Sequence, residues 1–225
     1  VVQFPDGRVW LVDGGPPQAR VLAWLRRAGI RRLDAIVLSH PHPDHMGGLD
    51  DILAELPVGR FITARPPIAG EAAYLALWQA VWAAGVPVAG PDDDAGLGAQ
   101  ILHPLDGWRE RGRSRLNDES VVLRLVHGER SFLLTGDVQV RGESAFVASL
   151  PPTDVVKAPH HGSRTSSTHA LVGATGARFV VVSCGTENQF HHPHAQTLGR
   201  WWGAAMIRTN IDGTVRISTD GHDLQ

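Results

Sequence analysis

With 225 residues, 43% of them apolar, the chain can bury a proper core in one large domain or two small ones. A formal charge of −2 and a pI near 6.7 exclude a simple electrostatic case for tight nucleic-acid binding, and the single cysteine, Cys184, excludes an internal disulfide. No run of about eighteen apolar residues occurs, and the first residues lack the basic and apolar regions of a signal peptide, so the chain as given reads as soluble.

Val1 opens inside what reads as a strand, which suggests a chain cut from a larger protein. A strand over 9–12 then ends at the turn Asp13-Gly14-Gly15-Pro16, and a helix is expected over 18–28, stopped by Gly29. A short buried strand over 36–39, a helix over 48–56 and an extended piece over 60–64 follow. In a helix over 71–84, Tyr74, Leu77, Trp78, Val81 and Trp82 recur at three- and four-residue spacing, which reads as packing rather than ligand stacking. The turn with Asp92, Asp93 and Asp94 reads as a solvated loop. The second half repeats the rhythm, with strands over 121–126, 131–134, 155–157 and 179–182 and helices over 141–150, 167–173 and 195–203. A last extended stretch is expected over 214–218. Two successive runs of strands with interspersed helices predict two sheets covered by helices, an α/β sandwich.

The most informative segment is His40-Pro41-His42-Pro43-Asp44-His45, followed by Met46-Gly47-Gly48. Imidazole nitrogen and carboxylate oxygen are ligands that zinc and manganese accept. A strand-to-helix turn can aim His40 and His42 at one point while Asp44 and His45 swing to a second, the arrangement of a two-metal site. The bland alternative is a surface histidine cluster, but this one sits between an apolar strand and an amphipathic stretch.

Other acidic and histidine residues gather at predicted carboxyl ends of strands, where open α/β folds place their chemistry. Asp137 leaves a buried strand through Thr135-Gly136, His160 and His161 follow Val155-Val156-Lys157-Ala158-Pro159, and Asp13 ends the first strand. A lone aspartate after a strand is usually a turn residue; four such placements in one chain argue for a site. The segment Asn188-Gln189-Phe190-His191-His192-Pro193-His194 adds imidazoles before a helix as phosphate binders or proton donors, with His191 read as exposed. Trp201 and Trp202 read as packing residues and Cys184 as a small buried residue.

The ordered set Val12-Asp13-Gly14-Gly15, Ser39 to Gly48, Leu134-Thr135-Gly136-Asp137 and His160-His161-Gly162-Ser163 resembles the metallo-β-lactamase superfamily over nearly the whole chain. Phe4-Pro5-Asp6-Gly7, Asn117-Asp118-Glu119-Ser120, Lys157 before the double histidine and Asn188 with His192-Pro193 are similar to the β-lactamase-like domain of ComEC-type competence proteins, membrane channels for DNA uptake. The resemblance implies the αββα four-layer sandwich of the metallo-β-lactamase fold over 1–225, lacking its first strand. It also implies a domain of an inner-membrane protein, on the extracytoplasmic face, with the rest of the channel as partner.

It implies roles as well. His40 and His42 would hold one of two divalent ions, Mn or Zn; Asp44 and His45 the second; Asp137 would bridge them; and one of His160 and His161, preferably His161, would complete the second site. Where many relatives carry a further histidine, this chain has Asn117-Asp118. Either Asn117 or Asp118 replaces it with oxygen, favouring manganese, or the first ion binds poorly. Asp13 would orient a ligand histidine through its other ring nitrogen. The expected reaction is hydrolysis of DNA phosphodiesters, degrading the strand that is not transported. Asp44 is counted among the catalytic residues; His160, His192 or His194 would bind a phosphate oxygen or protonate the leaving oxygen. Arg111, Arg113 and Arg115 are candidate DNA contacts, and Trp108 a candidate base-stacking residue. Two alternatives stay open: a metallo-hydrolase of a small ester, thioester or lactam, and a catalytically weak DNA-binding module of a channel.

Overall fold

Short β-branched and apolar runs build one sheet in each of two units, Val1–Asp93 and Asp94–Gln225. The computed structural model describes residues 1–90, 98–104 and 116–225. The three-aspartate turn at Asp92, Asp93 and Asp94, Trp108, and the arginines Arg111, Arg113 and Arg115 lie outside the described residues.

The first unit runs β1 (Val2–Gln3), β2 (Val9–Val12), α1 (Val21–Arg27), β3 (Ala35–Leu38), α2 (Pro43–Met46), α3 (Leu49–Glu55), β4 (Phe61–Thr63), α4 (Ala72–Ala83) and β5 (Val88–Ala89). The sheet order is β1-β2-β3-β4-β5, with β1 antiparallel to β2 and the remaining pairs parallel. Parallel neighbours need crossover connections, which the helices supply. Every residue of β3 and β4 is buried, as expected of parallel strands covered on both faces. Leu11, Leu25, Ile36, Leu38, Leu49, Ile52 and Phe61 anchor this core. Each such burial contributes roughly 1.5–3 kcal/mol, so the core fixes where β2 and β3 end and the site turn begins.

The second unit runs β6 (Ala99–His103), β7 (Val122–His127), β8 (Arg130–Leu134), α5 (Val140–Phe146), β9 (Val155–Lys157), α6 (His169–Thr175), β10 (Phe179–Val182), α7 (Ala195–Arg200), β11 (Ala205–Arg208) and α8 (Thr209–Asp212). The order is β11-β10-β9-β8-β7-β6; β6, β7 and β8 pair antiparallel, and β8 to β11 run parallel. Val122, Leu133, Val156, Val180, Leu171 and Trp201 pack its core. The α/β class with two sheets flanked by helices agrees with the sequence expectation.

Several local expectations differ from the structure. The helix expected over 18–28 is broken: a 3₁₀ turn, Pro17–Ala19, precedes α1, because Arg20 adopts a left-handed conformation (φ 50°) that interrupts the ladder. Residues 214–218 join no sheet; the last strand is β11, which lies between the helix expected over 195–203 and the extended stretch expected over 214–218. Trp202 is 92% exposed and does not pack as expected, and Trp82, 63% exposed, packs only edge-on against Trp78 at 6.1 Å, whereas Tyr74, Trp78 and Trp201 are buried. Cys184 is partly buried against the second core.

Candidate metal centre

In the first unit, proline chemistry shapes the ligand turn. A proline after His40 and another after His42 disfavour helical backbone at both histidines, and His42 is extended (φ −84°, ψ 151°). Pro43 then opens α2 at a position where its missing N–H costs nothing, so Asp44 and His45 lie in the first helical turn. Close approach explains two glycines: a Cβ on Gly14 would lie 2.7 Å from Leu49 Cδ2, and one on Gly48 would lie 2.8 Å from the Gly14 carbonyl oxygen.

Asp13 sits at φ 58°, a left-handed position that aspartate tolerates better than most residues. Its Oδ1 accepts the Ser39 amide at 2.7 Å; its Oδ2 accepts the Ser39 hydroxyl at 2.8 Å and lies 2.8 Å from His45 Nδ1. Burial pushes the Asp13 carboxyl upward, but the His45 ring, the Ser39 amide and His40 outweigh it and hold the group below the usual carboxylate range. With the Ser39 hydroxyl proton given to Asp13, Ser39 Oγ accepts from His40 Nδ1 at 3.1 Å. These contacts fix tautomers: His40 and His45 each carry the proton on Nδ1 and present Nε2 as a lone pair. His40 Nε2 lies 3.0 Å from His42 Nδ1, and His45 Nε2 lies 3.7 Å from Asp44 Oδ2. His40 and His45 are buried, and Asp44 is exposed.

In the second unit, Asp137 leaves β8 through Gly136 (φ 51°) and is buried. Its amide donates to Ser120 Oγ at 3.0 Å, and its Oδ1 lies 3.6 Å from Lys157 Nζ, which itself donates to the Gly136 carbonyl at 2.8 Å. His161 donates from Nδ1 to the Ser183 carbonyl at 2.7 Å, and its Nε2 lies 3.2 Å from Asp137 Oδ2, a spacing that takes a proton or a cation between the two atoms. The donor set in each unit, imidazole lone pairs beside carboxylate oxygens, therefore fits a divalent ion.

The His160-His161-Gly162 turn is left-handed at all three positions (φ 49°, 54° and 80°). Such backbone costs roughly 1–3 kcal/mol per non-glycine residue and persists only when over-determined. Here Ser166 Oγ donates to the Pro159 and Ser163 carbonyls at 2.9 Å, and the His194 amide donates to the Gly162 carbonyl at 3.0 Å. The fully buried Glu143 carboxylate accepts the Ser167 and Thr168 amides at 2.5 and 2.8 Å, and burial pushes its pKa up. Sequence reading missed Glu143, because a glutamate inside an expected helix gives no sign of burial.

Around this turn, Asn117 Nδ2 donates to His160 Nε2 at 3.3 Å. Asp118 faces elsewhere: its Oδ1 accepts the Gln139 and Gly142 amides at 2.9 Å each, in the first turn of α5. His192 lies parallel to His161 and to Phe190, with ring centroids at 6.3 and 5.7 Å, and 5.5 and 5.0 Å from His160 and His194. Burial first, then the neighbouring His160, His161 and His194, lower its pKa to about 4. Asn188 holds the His192 backbone, accepting its amide at 2.7 Å and donating to its carbonyl at 2.8 Å. His191 is exposed. The structure thus brings Asp13, His40, His42, Asp44 and His45 together in one unit, and Asn117, Asp137, His160, His161, His192 and His194 in the other.

Residues 1–185 match the metallo-beta-lactamase superfamily, and the chain belongs to that superfamily of metallo-hydrolases. It is 30% identical over 204 residues to competence protein ComA of Neisseria gonorrhoeae, covering 88% of this chain and 27% of that protein. It is 28% identical over 204 residues to ComE operon protein 3 of Bacillus subtilis strain 168, covering 87% of this chain and 26% of that protein. The chain therefore spans about a quarter of the length of these relatives. The fold also matches the crystal structure of a metal-dependent hydrolase of the β-lactamase superfamily, with a TM-score of 0.54 and 16% identity over 88% of this chain and 85% of that one.

Proposed function

We propose that the chain is a metal-dependent phosphodiesterase acting on DNA, and that it degrades the non-transported strand during competence-related DNA uptake. The observation that carries this reading is the second unit's cluster, where the Lys157 ammonium and several imidazoles surround the buried Asp137 carboxylate. That surface suits an anionic substrate, and the relatives' names as competence proteins point to DNA.

In this reading His40, His42, Asp44 and His45 of the first unit and Asn117, Asp137 and His161 of the second would supply the ligands of the divalent ions. When bound, two such ions, manganese or zinc, lower the pKa of water toward about 7 and offset charge on the transition state. Asp13 and the Ser183 carbonyl keep His45 and His161 in the tautomers that present Nε2. His160, His192 and His194 offer ring N–H groups to nonbridging phosphate oxygens or to the leaving oxygen. Arg111, Arg113 and Arg115 supply the phosphate contacts that a chain of net charge −2 otherwise lacks. The relatives' competence context makes the rest of a membrane channel protein the proposed partner, with this domain on its extracytoplasmic side; among the described residues no helix is long and apolar enough to cross a membrane.

The test is a substrate panel with manganese present: linear DNA, bis-p-nitrophenyl phosphate, nitrocefin and a thioester. The phosphodiesters are expected to be cleaved and the other two left nearly untouched. Robust nitrocefin or thioester hydrolysis without metal-dependent loss of DNA overturns the reading.

A further inference from the structure

β8, β9, β10 and β11 are parallel neighbours in that order, so their carboxyl ends line one edge of the second sheet. Asp137 follows β8, His161 follows β9, Ser183 follows β10, and Arg208 ends β11. Strands stand about 4.8 Å apart, which places Arg208 one to two strand spacings beyond the His161 and Ser183 pair. Beside it lies an open groove of about 660 Å³, lined among others by Asn188, Gln189, Glu187, His192 and Arg208. Ligand sites typically occupy 300–1,000 Å³.

Arg208 carries an unusual feature. Its Nε is buried and has no hydrogen-bond partner among the described residues. Asp212, the nearby acid, spends its Oδ2 on the Arg208 main-chain amide at 2.7 Å rather than on the guanidinium. A buried guanidinium N–H without an acceptor is costly, and an anionic oxygen would relieve it. Glu187 brings a negative charge to the groove but is exposed, where water and salt screen it. His192 joins the groove to the His160 and His161 cluster.

We propose that this groove is the subsite for a neighbouring phosphate of a nucleic-acid strand, with Arg208 as its anion clamp and Gln189 as a further polar contact. The proposal rests on the phosphodiesterase reading and adds to it a place for a phosphate that is not hydrolysed. A guanidinium is suited to two phosphate oxygens at once.

Equilibrium binding of the dinucleotide pTpT and of inorganic phosphate, followed by calorimetry at several salt concentrations, tests it independently of catalysis. Arg208→Gln is expected to weaken pTpT binding roughly 5- to 30-fold, to lower the salt slope by about one, and to leave inorganic phosphate binding near the wild-type value. Arg208→Lys keeps the charge and is expected to hold the wild-type salt slope. Unchanged pTpT affinity in Arg208→Gln, or equal loss of pTpT and inorganic phosphate, overturns the subsite. Should Arg208→Gln unfold, a lowered salt slope in Arg208→Lys overturns it instead. A wild type that binds pTpT through Arg208 but cleaves no phosphodiester overturns the hydrolytic reading and leaves the subsite standing.

Discussion

Asn117 donates from Nδ2 to His160 Nε2 at 3.3 Å, which turns its carbonyl oxygen into a buried acceptor with no hydrogen-bond partner among the described residues. Its neighbour Asp118 has given one carboxylate oxygen to the first turn of α5. Each of the two side chains at this turn thus keeps one buried oxygen without a hydrogen-bond partner among the described residues, Oδ1 of Asn117 and Oδ2 of Asp118.

An amide oxygen is a harder ligand than imidazole, so manganese is expected to support several-fold more turnover than zinc. Asn117→His should shift the preference toward zinc. Steady-state rates with each ion in both proteins measure this; equal rates in the wild type would count against an oxygen ligand.

Asp118 has a structural role that denaturation can read. Asp118→Ala strands the Gln139 and Gly142 amides and removes an acceptor at the start of α5, which should cost about 1–2 kcal/mol in urea unfolding. Asp118→Asn keeps one acceptor oxygen and should cost less. Wild-type stability in the alanine variant would show that these amides find other partners.

The acid limb of stability should depend on Asp154. Burial pushes its carboxyl upward, but the Ser131 amide at 3.0 Å, Arg130 at 3.1 Å and the Ser131 hydroxyl at 3.2 Å outweigh it and lower the pKa below the ordinary 3.8. A folded-state pKa below the unfolded one means the stabilisation is complete above pH 3.8 and is lost as pH falls through the folded value. Urea midpoints between pH 7 and pH 3 should therefore drop less steeply in Asp154→Asn than in the wild type. Parallel acid limbs in the two proteins would contradict the assignment.

The short parallel strands were legible because each is a run of apolar, often β-branched residues closed by a turn: 155–157 and 179–182 match β9 and β10 residue for residue. The turn after β3 was legible because His-Pro-His-Pro dictates its own backbone. What escaped was decided by tertiary context. Arg20 takes a left-handed conformation inside an otherwise helical pattern, and Ala205–Arg208 becomes a strand only by pairing with β10. Arg208 looked like any surface cation, since nothing local shows that its Nε is buried. The histidines of 188–194 were visible as residue types, but the ring stacking that ties His192 to His161 depends on the fold.

The central claim is the proposed metal-dependent phosphodiester hydrolysis, with His42 and Asp137 both needed for it. Its most direct test is the manganese-dependent rate on bis-p-nitrophenyl phosphate in the wild type, His42→Ala and Asp137→Ala, with circular dichroism to confirm that each variant is folded. The account predicts a metal-dependent rate in the wild type that falls at least 100-fold in both variants while the fold persists. Full activity in either folded variant would contradict it.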